Sequence, residues 1–233
     1  MSQRLLINYA TRKRKDKFLA HMDNIYKTTR TNDFKIVVKV DEDDSEMVAL
    51  IPEINRMKNT AGYIIKPFGK IAAINAYIPW YEPWDILVNT SDDFEFVSGW
   101  DETLIRRTSG VWPNTTDWFA HFSDGYVFEK LPTMSIFGRE YGERFGYVYH
   151  PSYKSVSCDA EALYVAQTLG RYHYFPEVLA YHKHPVNVKQ GYDDVYKTND
   201  KWADQDTKIY FHRMKNNFYI HNPGKVVFEQ FKR

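Results

Sequence analysis

Four short apolar runs punctuate the first 88 residues of the chain, and the stretches between them carry apolar residues at helical spacing. The runs are Leu5-Leu6-Ile7, Ile36-Val37-Val38-Lys39-Val40, Gly62-Tyr63-Ile64-Ile65 and Asp85-Ile86-Leu87-Val88. The second is β-branched and almost wholly apolar, the pattern of a strand buried on both faces. Phe18, Leu19, Met22, Ile25 and Tyr26 recur as one face of a helix. Met47, Val48, Ile51 and Ile54 mark a second helix, which Pro52 must kink or split. Ile71, Ala72, Ile74, Asn75 and Ile78 mark a third, stopped by Pro79. Strands and helices in this alternation give an α/β fold, a mostly parallel sheet with helices on both faces. Ligands of such sheets bind beyond the carboxyl ends of the strands. That rule directs attention to residues 8–14, 41–45, 66–70 and 89–94.

The second half is less regular. Residues 97–135 are rich in Trp, Gly, Pro and Thr and read as loops and short strands. A helix follows Asp159, which occupies an N-cap position, with Leu163, Ala166 and Leu169 on one side and Gly170 at its end. A last long helix is expected from about Asn199 to Asn217, with Trp202, Ile209, Arg213 and Met214 on one face. The 233 residues suit a single domain, with a regular half at 1–96 and a less regular half with the C-terminal helix at 97–233. A net charge of +1 supplies no strong basic field for nucleic acid. The single cysteine, Cys158, excludes an intrachain disulfide and a cysteine zinc cage. No apolar run approaches the roughly 18 residues of a spanning helix, and Leu5-Leu6-Ile7 is too short for a signal peptide. The expectation is a cytoplasmic protein without integral membrane contact, its oligomeric state open.

Three strand ends carry groups suited to a nucleoside diphosphate. In Asn8-Tyr9-Ala10-Thr11-Arg12-Lys13-Arg14-Lys15, the cations of Arg12 and Arg14 and the hydroxyl of Thr11 suit phosphate or ribose, and Tyr9 suits stacking on a base. The plain alternative is a solvated basic loop. In Asp41-Glu42-Asp43-Asp44, four acids repel one another unless they are solvated, capping a helix or bound to a cation. Asp41 directly follows its strand and can accept from a pyrimidine imide or a ribose hydroxyl, while Asp43 and Asp44 suit helix caps. Asp92 and Asp93 follow the fourth run as a hard-oxygen pair for Mg²⁺ or Mn²⁺. Such an ion would neutralise a departing diphosphate. An acidic turn is the plain alternative.

Asn89-Thr90-Ser91-Asp92-Asp93-Phe94, followed by Gly99-Trp100-Asp101, resembles the acidic metal-binding motif of family-2-type glycosyltransferases of the GT-A fold. Val38-Lys39-Val40-Asp41 resembles the strand whose last aspartate reads the base, and Gly69-Lys70 with Ala72, Ala73 and Asn75 the segment near the donor. Cys158-Asp159-Ala160-Glu161 resembles the Glu-Asp motif of the general base, with Asp159 aligned to it and Glu161 a rival. Tyr181-His182-Lys183-His184-Pro185 resembles the late segment that places a histidine metal ligand, His182 or His184. The resemblance spans residues 4–185 and departs from the family at Ser91 and Cys158, where acids are usual.

The resemblance implies metal-dependent transfer from a nucleoside-diphosphate sugar, a UDP-sugar foremost, to an acceptor hydroxyl. It implies Asp93 as direct metal ligand, Asp92 on ribose or metal, and inversion with Asp159 as base. Acceptor classes are a saccharide, a protein or modified DNA. Some bacteriophage enzymes of this type glycosylate hydroxymethylated bases, and Arg12, Lys13, Arg14, Lys15 and Lys17 suit a phosphate backbone. Trp100 and Trp118 are candidates for the acceptor cleft, with packing the other role for Trp100, and Asp124-Gly125 is a turn near it. A different class is a non-catalytic nucleotide- or sugar-binding module on the same fold.

Overall fold

A computed structural model describes residues 3–66, 69–189 and 192–220. Pro67 and Phe68, within the third strand end, lie outside the described residues. In chain order the elements are β1 (Leu5–Thr11), α1 (Lys15–Thr28), β2 (Phe34–Asp41), α2 (Ser45–Ala49), α3 (Ile51–Ile54), β3 (Thr60–Ile65), α4 (Lys70–Asn75) and β4 (Ile86–Thr90). Then come β5 (Phe94–Phe96), α5 (Trp100–Val111), β6 (Phe119–Ser123), β7 (Ile136–Gly138), α6 (Arg139–Phe145), α7 (Cys158–Thr168) and β8 (Tyr172–Val178). The described chain ends with β9 (Ala180–His182), α8 (Pro185–Val188), α9 (Asp194–Asp200) and α10 (Ala203–Lys215).

Among the described residues, seven strands form one sheet in the order β3-β2-β1-β4-β7-β6-β8. The first four are mutually parallel, β7 runs antiparallel to β4 and β6, and β8 is parallel to β6. Helices flank both faces. A separate antiparallel ribbon pairs β5 with β9. As expected, Pro52 splits the second helix, and it sits in the first turn of α3, where a missing N–H costs little. Asp44, not Asp43, caps α2 by accepting from the Met47 N–H at 3.3 Å.

Successive strand residues point to opposite faces. Leu5, Ile7 and Tyr9 join Ile36, Val38, Val40 and Val88 in one core, sealed by Phe18, Met22 and Ile25 of α1 and Trp100 and Leu104 of α5. Leu6, Val37 and Leu87 face a second core with Ile71, Ile74, Tyr141 and Val165. On that second face the next residues toward the carboxyl ends are Asn8, Lys39 and Asn89, all buried. Lys39 Nζ donates to Asn8 Oδ1, and Asn8 Nδ2 donates to Asn89 Oδ1 at 2.8 Å and to the Ile74 carbonyl at 3.0 Å. Burial pushes the Lys39 ammonium down to about 7. The apolar sheet thus turns polar as it approaches its ligand-binding edge.

Three sequence expectations are corrected. Residues 97–135 contain the 12-residue α5, on which Trp100, Leu104 and Thr108 form a fully buried stripe at i, i+4, i+8. The expected last helix corresponds to α10, shorter at both ends and preceded by the separate α9, so Trp202 is its N-cap and not on its face. Helix α7 begins at Cys158 after Ser157, whose φ is 64°, so Asp159 stands in the first turn and is not the N-cap. Among the described residues no helix is long and apolar enough to cross a membrane.

Candidate active site

The carboxyl ends of β1, β2 and β4 open into a cleft of about 420 Å³. Thr11, Arg12, Arg14, Asp41, Lys70, Asp92 and Asp93 line it, all expected from the sequence. Tyr196 of α9 and Trp202, not expected from the sequence, form another part of its wall.

Asp93 and His182, 89 positions apart, meet through the β5–β9 ribbon. Its register pairs Phe94 with His182, and the Lys183 N–H donates to the Asp93 carbonyl at 2.6 Å. His182 Nε2 consequently lies 3.4 Å from Asp93 Oδ2. The same oxygen accepts from the Tyr196 hydroxyl at 2.9 Å, and Oδ1 accepts from the Ser91 hydroxyl. Burial alone would raise the pKa of Asp93, but His182, Ser91 and Lys70 outweigh it and hold the carboxyl well below the usual range. Burial would lower that of His182, but Asp124 and Asp93 outweigh it and hold the imidazole above its ordinary value. His184 instead caps α8, its Nδ1 accepting from the Val186 N–H at 3.3 Å.

Arg14, Asp92, Arg12 and Asp41 are paired within the cleft. Arg14 donates to Asp92 Oδ1 and Asp193 Oδ1, each at 2.7 Å, and its guanidinium carbon lies 4.3 Å from the Tyr196 ring centroid. Burial raises the pKa of Asp92, with Arg14 opposing and Asp93 adding to the rise. Arg12 joins Asp41 to Asp43, donating to Asp43 Oδ2 at 2.6 Å. Burial likewise raises Asp41, with Arg12 opposing.

Two expected site residues lie in the interior. Tyr9 is fully buried because β1 continues to Thr11 and turns the ring into the α1 face, where it packs on Phe18 and His21 at 5.5 and 5.1 Å. It cannot stack on a base there. Glu161 is 3% exposed and accepts from Arg213 Nε and Nη2, each at 2.8 Å, and from the Tyr153 hydroxyl at 2.6 Å. That carboxylate is spent on a buried ion pair and is not a rival base. Trp100 and Trp118 are both core residues, with at most 1% exposure.

Asp159 is partly buried, its Oδ1 accepting from the Ala160 N–H at 2.9 Å. Burial raises its pKa, with the Ala160 N–H, Lys70 and His182 opposing. The loop before it is clamped by α10: the Asp206 carboxylate accepts from the N–H groups of Lys154, Ser155 and Val156 at 3.0, 2.7 and 2.9 Å. Asp206 and Arg213 therefore brace this loop and helix α7 from behind, and neither carried a sequence signal beyond the place of Arg213 on the expected helix.

Among the described residues no group of three or more His, Cys, Asp or Glu is placed to hold a metal ion. Asp93 and His182 nonetheless suit a two-ligand site. With bonds of about 2.1 Å, a 3.4 Å separation corresponds to adjacent ligands of one ion. A carboxylate oxygen and an imidazole nitrogen are donors that such an ion would accept.

No protein-family model and no curated protein matches the sequence. Solved structures do match. The mannosyltransferase PcManGT from Pyrobaculum calidifontis, in complex with GDP-Man and Mn²⁺, is 17% identical with a TM-score of 0.61 over 82% of this chain and 59% of that one. Residues 1–349 of S. aureus TarS, in complex with UDP-GlcNAc, are 13% identical with a TM-score of 0.59 over 83% of this chain and 64% of that one. TarS 1–349 with UDP gives 12% and 0.60, over 94% and 75%. The chain thus spans about three fifths of the length of the first two. The mostly parallel seven-stranded sheet with its flanking helices is the GT-A glycosyltransferase fold.

Proposed function

We propose that the protein moves a sugar from a nucleoside-diphosphate sugar, a UDP-sugar foremost, to an acceptor hydroxyl, with a divalent metal and with inversion. The observation that carries this reading is the meeting of Asp93 and His182 at 3.4 Å beside a cleft at the carboxyl ends of the sheet. The neighbouring structures with GDP-Man, UDP-GlcNAc and UDP support the donor class.

Asp41, held by Arg12, accepts from the nucleoside, and Arg12 and Lys70 offer cations to the diphosphate. Arg14 orders this wall by fixing Asp92. Asp93 and His182 would hold Mn²⁺ or Mg²⁺, which would supply positive charge against the leaving diphosphate. Asp159 takes the acceptor proton as the acceptor oxygen bonds to the anomeric carbon and the bond to the diphosphate breaks. Its raised pKa moves it toward the range in which a carboxylate base is effective, a contribution of about 10²–10⁴-fold.

The test is nucleoside-diphosphate release from a panel of UDP- and GDP-sugars with Mn²⁺, against saccharide, protein and hydroxymethylated-DNA acceptors, with the product anomer read by NMR. A retained anomer overturns Asp159 as an inverting base. Nucleotide binding without release from any pair identifies the non-catalytic binding module, which the departures at Ser91 and Cys158 allow.

A further inference from the structure

Asp124 directly follows β6 and is 4% exposed. Its Oδ1 accepts from the N–H groups of Tyr126 and Val127 at 2.9 and 2.7 Å, and its Oδ2 accepts from the Thr133 hydroxyl at 3.0 Å. That same Oδ2 faces His182 Nδ1 at 3.6 Å. The opposite ring nitrogen, Nε2, faces Asp93. The imidazole is also stacked on Phe94, with centroids 4.4 Å apart and planes at 13°, and its backbone N–H donates to the Asp124 carbonyl at 3.1 Å. The ring is thus held on its flat side by Phe94 and faced on one edge by Asp124, with Nε2 turned to Asp93. A histidine that ligates through Nε2 must carry its proton on Nδ1. A carboxylate at Nδ1 fixes that tautomer and the ring rotation, and it makes Nε2 a better donor.

We propose that Asp124 is a positioning residue that holds His182 with Nδ1 protonated and Nε2 aimed at Asp93, so that metal affinity depends on a side chain outside the metal's own ligands. This rests on the metal-dependent reading above. A purely local role is the competing explanation, since Asp124 also ties its own turn. Asp124→Asn separates the two. An asparagine oxygen can keep the bonds from Tyr126 and Val127, but its NH₂ would then face His182. Two donors cannot face each other, so the histidine proton moves to Nε2 and blocks the ligand position.

The experiment is Mn²⁺ titration followed by EPR on the full chain, without nucleotide and with UDP. Asp124→Asn should weaken Mn²⁺ binding by about 10–100-fold. Thr133→Val, which removes only a tie of the turn, should stay within about threefold of wild type, a margin small on that scale. Long-range ¹H–¹⁵N NMR of His182 at alkaline pH, where the ring is neutral, should place the proton on Nδ1 in the wild type; this readout needs no variant. Equal Mn²⁺ affinity in wild type and Asp124→Asn overturns the inference alone, as does a wild-type proton on Nε2. Absence of Mn²⁺ binding in the wild type overturns the metal reading and the inference with it.

Discussion

Replacing Lys39 by methionine should alter how stability depends on pH. Lys39 is wholly buried in the row with Asn8 and Asn89, and its pKa falls from 10.5 to about 7. The folded pKa lies below the unfolded one, so between these values the unfolded chain binds more protons. Stability then rises with pH, by up to about 1.4 kcal/mol per unit. Titrating a single site from about pH 7 to about pH 9 gives close to 2 kcal/mol of added stability, since the group is half charged at the start. Cys158 and the buried tyrosines act in the opposite sense, because burial raises their folded pKa values and stability falls as the unfolded chain ionises. Subtracting the variant from the wild type cancels them. Methionine leaves Asn8 Oδ1 without its lysine donor, a cost of about 1–3 kcal/mol that does not vary with pH. Urea unfolding of both proteins at three pH values, with equal slopes checked, reads the difference. It should move by about 2 kcal/mol in favour of the wild type as pH rises. A difference flat to within about 0.5 kcal/mol would refute the buried, near-neutral lysine.

Removing the guanidinium with Arg213→Met leaves Glu161 buried without its partner and should cost about 3–5 kcal/mol in chemical denaturation, most of which Glu161→Leu in the same chain should restore. Asp159→Asn should lower turnover by about 10²–10⁴-fold while UDP affinity, read by calorimetry, changes little; full turnover would remove Asp159 as base. Gly125 has a φ of +81°, and a Cβ there would lie 2.6 Å from the Tyr181 ring. Gly125→Ala should therefore destabilise by about 1–3 kcal/mol, and an unshifted melting temperature would contradict the tight fit of that turn.

The parallel half of the fold was legible because β-branched runs such as Ile36-Val37-Val38 leave few other structures open, and because Pro52 marks its own break. Helix α5 was not, since Thr108 occupies the third position of its buried stripe. Its hydroxyl bonds back to the Leu104 carbonyl at 2.8 Å, so a polar residue does the work of an apolar one. Tyr9 misled for a related reason. Only the register with β2, which runs to Thr11 opposite Val40, shows that the strand continues past the apolar run and turns this ring inward. The residues around the cleft were readable as chemical types at strand ends. Their partners were not: Arg14 with Asp193, Asp93 with Tyr196 and the Lys154–Val156 loop with Asp206 are joined only by the tertiary fold.

Those joins have a consequence for the order in which the molecule is built. The tie from Arg14 to Asp193 spans 179 residues, and that from Tyr196 to Asp93 spans 103. The strands that place Asp41 and Asp93 can pair once β4 has been made, but Arg14 keeps its full set of partners only after α9 docks. Contacts at such separations form late, because long loops must close first. A chain emerging from the ribosome would hold the parallel half of its sheet well before it held a finished cleft. A segment made 179 residues later would decide when the loop that carries Arg14 is complete.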